Sequence, residues 1–161
     1  MAPILDVRNL QTHFFTKGGV LKAVDGVSFE IGAGEIVGLV GESGSGKSIT
    51  GFSILGLVDA PGRIVGGEIL FRGANLTTLP AAEMQKMRGS RIAMIFQDPM
   101  MTLNPVLRIE TQMIEAIQTH DSSVSKDEAR QRSRDALGLV GISSPEERMR
   151  AYPHQFSGGM R

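Results

Sequence analysis

The 161-residue chain contains no cysteine and no tryptophan. Without cysteine there can be no disulfide framework, no thiolate metal centre and no cysteine nucleophile, and a reducing compartment suits such a chain. Neither sign of charge is in excess, since 17 Lys and Arg balance 17 Asp and Glu. A protein that draws its affinity from many nucleic-acid phosphates carries a basic surplus, so no nucleic acid is expected as a partner. No stretch approaches the roughly 18 consecutive apolar residues of a membrane span. The opening Met1-Ala2-Pro3-Ile4-Leu5-Asp6 has neither the basic start nor the apolar core of a signal peptide. Work at a membrane would need another chain as its anchor. The histidines His13, His120 and His154 show no ligand spacing, and a metal role for them is not expected.

Glycine is plentiful, with 20 residues, and three of them fall in Gly41-Glu42-Ser43-Gly44-Ser45-Gly46-Lys47-Ser48. This segment fits the phosphate-cradling pattern G-x-x-x-x-G-K-[ST] and follows an apolar run, Glu35-Ile36-Val37-Gly38-Leu39-Val40, that reads as a strand. Wrapping a backbone around phosphate needs consecutive amides pointing inward, and Gly41, Gly44 and Gly46 allow that approach. Lys47 would set an ammonium between the outer phosphates, and Ser48 would offer its hydroxyl to magnesium. The residues from Ser48 to Leu57 predict a helix whose N-terminal amides and dipole add positive potential beneath the phosphates.

The chain length suits one domain, and the chain reads in two parts. Residues 1–96 are strand-rich. Leu5–Leu10 and Val24–Ile31 alternate apolar and polar side chains, Gly18-Gly19 and Gly32-Ala33-Gly34 supply turns, and Ile64–Phe71 predicts a strand ending at Arg72-Gly73. A short helix follows Pro80 and runs through Arg88 to Gly89. Arg91–Phe96 reads as a buried core strand that delivers the chain to Gln97. Residues 97–161 are helical. Ser125-Lys126-Asp127-Glu128 is a capping box, with apolar or small residues at Ala129, Ser133, Ala136, Leu137 and Val140, and with Gly141 as the stop. Glu128 is expected to pair with Arg132 and Asp127 with Arg130, which makes this helix's basic residues a solvated charged face. Ser144-Pro145-Glu146-Glu147 repeats the capping signature and predicts a short helix through Arg150.

Two further segments bear on chemistry. Phe96-Gln97-Asp98-Pro99 puts a neutral amide after a core strand, where it would ligate magnesium or position a water; alone, such a glutamine is usually a solvated turn residue. Phe156-Ser157-Gly158-Gly159-Met160 would offer free amides at a helix start as a second anion-binding corner; alone, it is usually a flexible turn. In this order, with the phosphate loop ahead of them, the segments resemble the ATPase subunits of ATP-binding cassette (ABC) transporters. The wording from Val40 to Ser48, from Phe96 to Pro105 and from Tyr152 to Arg161 is similar to the dipeptide, oligopeptide and nickel importer branch, including Met160 where the wider family usually has glutamine. The resemblance covers essentially the entire chain.

The resemblance implies an α/β fold: a P-loop NTPase nucleotide-binding domain of ABC type, incomplete here, with an antiparallel β subdomain, parallel core strands and a helical subdomain. It also implies ATP and Mg²⁺ as cofactors. Gly41, Glu42, Ser43, Gly44, Ser45, Gly46, Lys47 and Ser48 would hold the phosphates, and Ser48 and Gln97 would face magnesium. Lys47 and Gln97 would act in catalysis. Phe14 or Phe15 would stack on adenine, with Phe15 taken as the site residue. Ser157, Gly158 and Gly159 would address the γ-phosphate of ATP bound on a second ATPase subunit, identical or related. Permease subunits would hold the chain at the cytoplasmic face of the membrane, with an extracytoplasmic solute-binding protein as an indirect partner.

The family's later carboxylates and switch histidine are not found before Arg161. The chain is therefore expected to be an N-terminal portion that hydrolyses ATP poorly alone and is marginally stable because strands are missing. Two other readings stay open at this level, a non-catalytic nucleotide-binding or regulatory fragment and a soluble non-transport ABC ATPase.

Overall fold

The computed structural model describes residues 2–96 and 102–160. They form two compact units, Met1–Ala93 and Met94–Arg161.

The first unit is built on a four-stranded antiparallel sheet in the order β2-β1-β3-β4, with β1 Leu5–Thr16, β2 Gly19–Ile31, β3 Gly62–Phe71 and β4 Ala74–Asn75. The expected strands at 5–10, 24–31 and 64–71 are present, and the first two are extended into a long hairpin by the turn at Lys17-Gly18. β1 is the middle strand. Val7 faces Phe29 in β2 and Ile69 in β3. Both ladders shift register between Arg8 and Gln11, where Asn9 has φ 47°. This bulge breaks simple alternation and lets Val7 and Leu10, three residues apart, both enter the core. With Val24, Ile69, Leu76 and Met84 they form the main apolar cluster, against which Ile49 and Ile54 pack.

Two helices complete this unit. α1 spans Lys47–Ile54 and α2 spans Ala81–Met87. α1 stops sooner than the expected limit at Leu57, because Gly56 turns left-handed at φ 60°. α2 begins directly after Pro80, where the missing proline N–H costs the helix nothing.

The expected parallel core strands at 35–40 and 91–96 are not strands here. Residues 35–40 are in no ladder, and Ile36 and Val40 are 99% and 93% exposed. In 91–96 the only pairing among the described residues is an isolated bridge between Ile92 and Arg88, and Ile95 is 98% exposed. The reason is topological. Antiparallel strands can pair across a short turn, whereas a parallel strand needs neighbours delivered by long crossovers, and neither run has a ladder partner among the described residues.

The second unit contains α3 Ile109–His120, α4 Lys126–Leu139 and α5 Pro145–Met149, then 3₁₀ turns at Pro153–Gln155 and Gly158–Met160. α4 begins as expected: the Ser125 hydroxyl accepts the Glu128 amide at 3.2 Å. It also ends as expected at Gly141. The Gly141 amide donates to Gly138 O at 3.0 Å and the Ile142 amide to Leu137 O at 3.0 Å, the paired bonds of a Schellman motif. The buried stripe of α4 is Ala129, Ser133 and Leu137, while Ala136 and Val140 are exposed. The Ser133 hydroxyl is satisfied by donating to Ala129 O at 2.8 Å.

Two local expectations are corrected in this unit. Ser144 does precede α5, but it adopts φ 51° and makes no side-chain cap; its carbonyl instead accepts the Glu147 and Arg148 amides, each at 3.0 Å. Arg130 does not pair with Asp127. It reaches Glu110 in α3 at 3.4 Å and Glu146 in α5 at 2.6 Å, so a side chain expected on a solvated face ties three helices together. The expected pair of Glu128 and Arg132 does form.

Candidate phosphate-binding site

The segment 41–46 loops into α1, and Gly46 is the residue that makes the geometry possible. It has φ 92°, and a Cβ there would lie 2.3 Å from the Ala23 carbonyl oxygen. Only glycine allows the loop to lie this close to β2. The Thr50 amide donates to Gly46 O at 2.8 Å, opening the helical ladder, and the Thr50 hydroxyl reinforces it at 3.0 Å. The amides that precede Thr50 in the first turn have no intrahelical acceptor, as at any helix start, and they add to the positive end of the α1 dipole.

Lys47 is drawn into its own loop. Its Nζ donates to Gly41 O at 2.7 Å, Glu42 O at 2.6 Å and Ser45 Oγ at 3.2 Å. The ammonium thus lies inside the curve of the loop, with neutral oxygens as its partners. Three contacts to uncharged acceptors leave the positive charge uncompensated, and an anion entering the loop would meet it at once. Ser48 is exposed in the first turn of α1, with its hydroxyl beside these amides in sequence. Glu42, Ser43 and Gly44 are exposed along the loop.

The helix is tied to the sheet by a buried contact that sequence reading had not identified. Thr12 Oγ1 in β1 and Ser53 Oγ in α1 are 2.8 Å apart, and Ser53 also donates to Ile49 O at 2.7 Å. Two hydroxyls at periodic apolar positions were the available signal, but their partnership depends on how strand and helix cross.

The sheet separates the two candidate aromatics. β1 is regular from Thr12 to Phe14 in its pairing with β3, so Phe14 lies on the face of Thr12, which is the face of α1. Phe14 packs against Gly62, where a Cβ would come within 2.6 Å of its ring, and its β2 partner is the exposed Leu21. Phe15 lies on the opposite face with the Arg63 guanidinium 4.3 Å from its ring centroid. One face of its ring is already engaged by this cation.

In the second unit, Ser157, Gly158 and Gly159 are exposed and begin a single 3₁₀ turn, closed by the Met160 amide donating to Ser157 O at 3.0 Å. Phe156 before them is buried, with Arg148 5.9 Å over its ring. Gln97 lies outside the described residues. Among the described residues no group of three His, Cys, Asp or Glu side chains could hold a metal ion, and no helix is long and apolar enough to cross a membrane.

Known proteins resemble this chain in sequence and fold. The chain is 49% identical over 162 residues to the oligopeptide transport ATP-binding protein AppD of Bacillus subtilis, covering 100% of this chain and 49% of that protein. It is 44% identical to the dipeptide transport ATP-binding protein DppD of Escherichia coli over 157 residues, covering 98% of this chain and 48% of the relative. The chain thus spans about half the length of the curated relatives it matches. Among solved structures, the dimeric ATP-binding cassette MJ0796 bound to ADP and Pi superposes with a TM-score of 0.83 at 24% identity, over 97% of this chain and 64% of that one. That likeness shows the ABC cassette fold. Residues 24–161 match the family model described as ABC transporter, and the chain belongs to that family.

Proposed function

We propose that this chain is the nucleotide-binding part of an ABC importer motor, binding ATP at residues 41–48 and driving uptake of a peptide or a related small solute. The observation that carries the reading is Lys47, whose ammonium is held within a loop of backbone groups at the start of α1. The oligopeptide and dipeptide transport names of the relatives support the solute class. The partners in this reading are permease subunits at the cytoplasmic face of the membrane, an extracytoplasmic solute-binding protein acting through them, and a second ATPase subunit. The dimeric cassette that shares the fold supports the last of these.

The residues take distinct roles. The loop amides and Lys47 bind the β- and γ-phosphates. The exposed Ser48 hydroxyl fits a magnesium ion held mostly by phosphate and water oxygens, as this ion prefers, and Gln97 is its second protein neighbour and the link towards the permease. Magnesium would neutralise charge developing on the phosphates. Ser157, Gly158 and Gly159 address the γ-phosphate held by the opposing subunit. Phe14 replaces Phe15 as the adenine platform, because it shares the α1 face while Arg63 covers Phe15.

Titration of the chain with ATP and with inorganic triphosphate tests the reading. Lys47→Ala should weaken both ligands by at least about tenfold, the value of a charged hydrogen bond. Phe14→Ala should weaken ATP alone, and Phe15→Ala neither. An unchanged ATP affinity in Lys47→Ala would sink the proposal.

A further inference from the structure

α1 is eight residues long, too short to be a stable helix by itself, so the orientation of its phosphate-facing turn depends on what grips it. Near its N-terminus, Gly46 abuts the Ala23 carbonyl. In its second turn, Ser53 meets Thr12. Its C-terminus is held by a residue from elsewhere: Arg88 Nε donates to Leu55 O at 2.7 Å, and Nη2 donates to Gly56 O at 2.8 Å. These carbonyls lie at the negative end of the helix, where they lack intrahelical donors. The planar guanidinium satisfies both at once, which the point-like ammonium of a lysine cannot do in the same geometry.

Arg88 also opens a closed turn. The Gly89 amide donates to Ile92 O at 2.9 Å, the Ile92 amide donates to Met87 O at 3.1 Å, and Arg88 bridges to Ile92. In sequence this turn leads through Ala93 to Phe96 and Gln97. One side chain therefore joins the far end of the phosphate-binding helix to the segment that enters the glutamine motif.

We infer that Arg88 is a positioning residue for the phosphate site, setting triphosphate affinity by fixing α1 through its C-terminal carbonyls. The inference rests on residues 41–48 being the ATP site. It acts on the phosphate end of the ligand, so base identity is irrelevant to it.

The test measures ATP and inorganic triphosphate affinity for the chain with Arg88→Met, Arg88→Lys and Lys47→Ala, together with amide hydrogen exchange. Arg88→Met should weaken both ligands by one common factor of about five- to tenfold, with Arg88→Lys in between. Exchange protection should fall at Thr50, the first amide of the helical ladder, as well as at Leu55–Leu57. Wild-type affinity in Arg88→Met, or faster exchange confined to Leu55–Leu57, would overturn the inference. Should Arg88→Met fail to fold, Arg88→Lys decides: a folded chain with weakened binding of both ligands supports the inference, and wild-type affinity overturns it. If Lys47→Ala loses binding while the Arg88 variants keep it, only the role of Arg88 fails. If Lys47→Ala binds normally, the site reading fails and this inference with it.

Discussion

In Met1–Ala93, side chains far apart in sequence meet: Val7 touches the rows of Phe29 and Ile69, and Thr12 meets Ser53. In Met94–Arg161 most contacts are between consecutive helices. Ile114, Val124 and Ala129 form a small cluster, and Arg130 joins Glu110 to Glu146 around it. The phosphate loop is carried by the first kind of scaffold and the Ser157-Gly158-Gly159 turn by the second. A loop that must present several amides to one ligand tolerates little displacement, and a cross-strand ladder with a buried hydroxyl pair resists displacement better than helices joined by exposed ion pairs, which are worth little singly. In the proposed reading the first unit holds a site, while the second presents one.

The sharpest way to break this contrast is Gly46→Ala. The new methyl would meet the Ala23 carbonyl at 2.3 Å on a backbone at φ 92°. Relief requires the loop or β2 to move, at a cost of about 3 kcal/mol or more. Triphosphate binding should be lost in titrations, with the helices of the second unit keeping their circular dichroism signal.

Met149→Ala probes the other side. Met149 is fully buried in the second unit, and truncating such a residue costs about 2–5 kcal/mol. Hydrogen exchange should show the second unit loosened and triphosphate affinity at 41–48 unchanged; a parallel loss of affinity would erase the distinction between the units.

The smallest expected effect concerns Asp121, at the end of α3. Hydrogen bonds from the Ser123 hydroxyl and amide hold its carboxyl below the ordinary aspartate value of 3.8, with Arg132 adding a weaker attraction. A lowered folded value means that the ionised form favours folding. Its contribution is present in full above the ordinary value and is lost as pH falls through the lower folded one. Relative to Asp121→Asn, the wild-type chain should be slightly more stable at neutral pH and lose that advantage in acid melts.

Much of the fold was legible where neighbours in sequence are neighbours in space. The cap at Ser125, the stop at Gly141, the hairpin turn at Gly18 and the helix after Pro80 all depend on bonds spanning a few residues. The misread elements depend on distance. Glu35–Val40 has the composition of a core strand, yet composition supplies no ladder partner. Arg130 had a plausible partner one turn away and took two from other helices. Asn9 gave no warning of the bulge that puts Val7 and Leu10 on one face.

By itself, the sequence determined the family and marked the candidate phosphate loop, because an anion nest is made of consecutive amides and its pattern is written in consecutive residues. The tertiary structure alone decided which of Phe14 and Phe15 shares a face with α1, why position 46 admits no side chain, and that Arg88 grips the helix from 32 residues away. Each of these turns on a contact whose other half lies on a different element, and only the crossing of those elements brings the two halves within bonding distance.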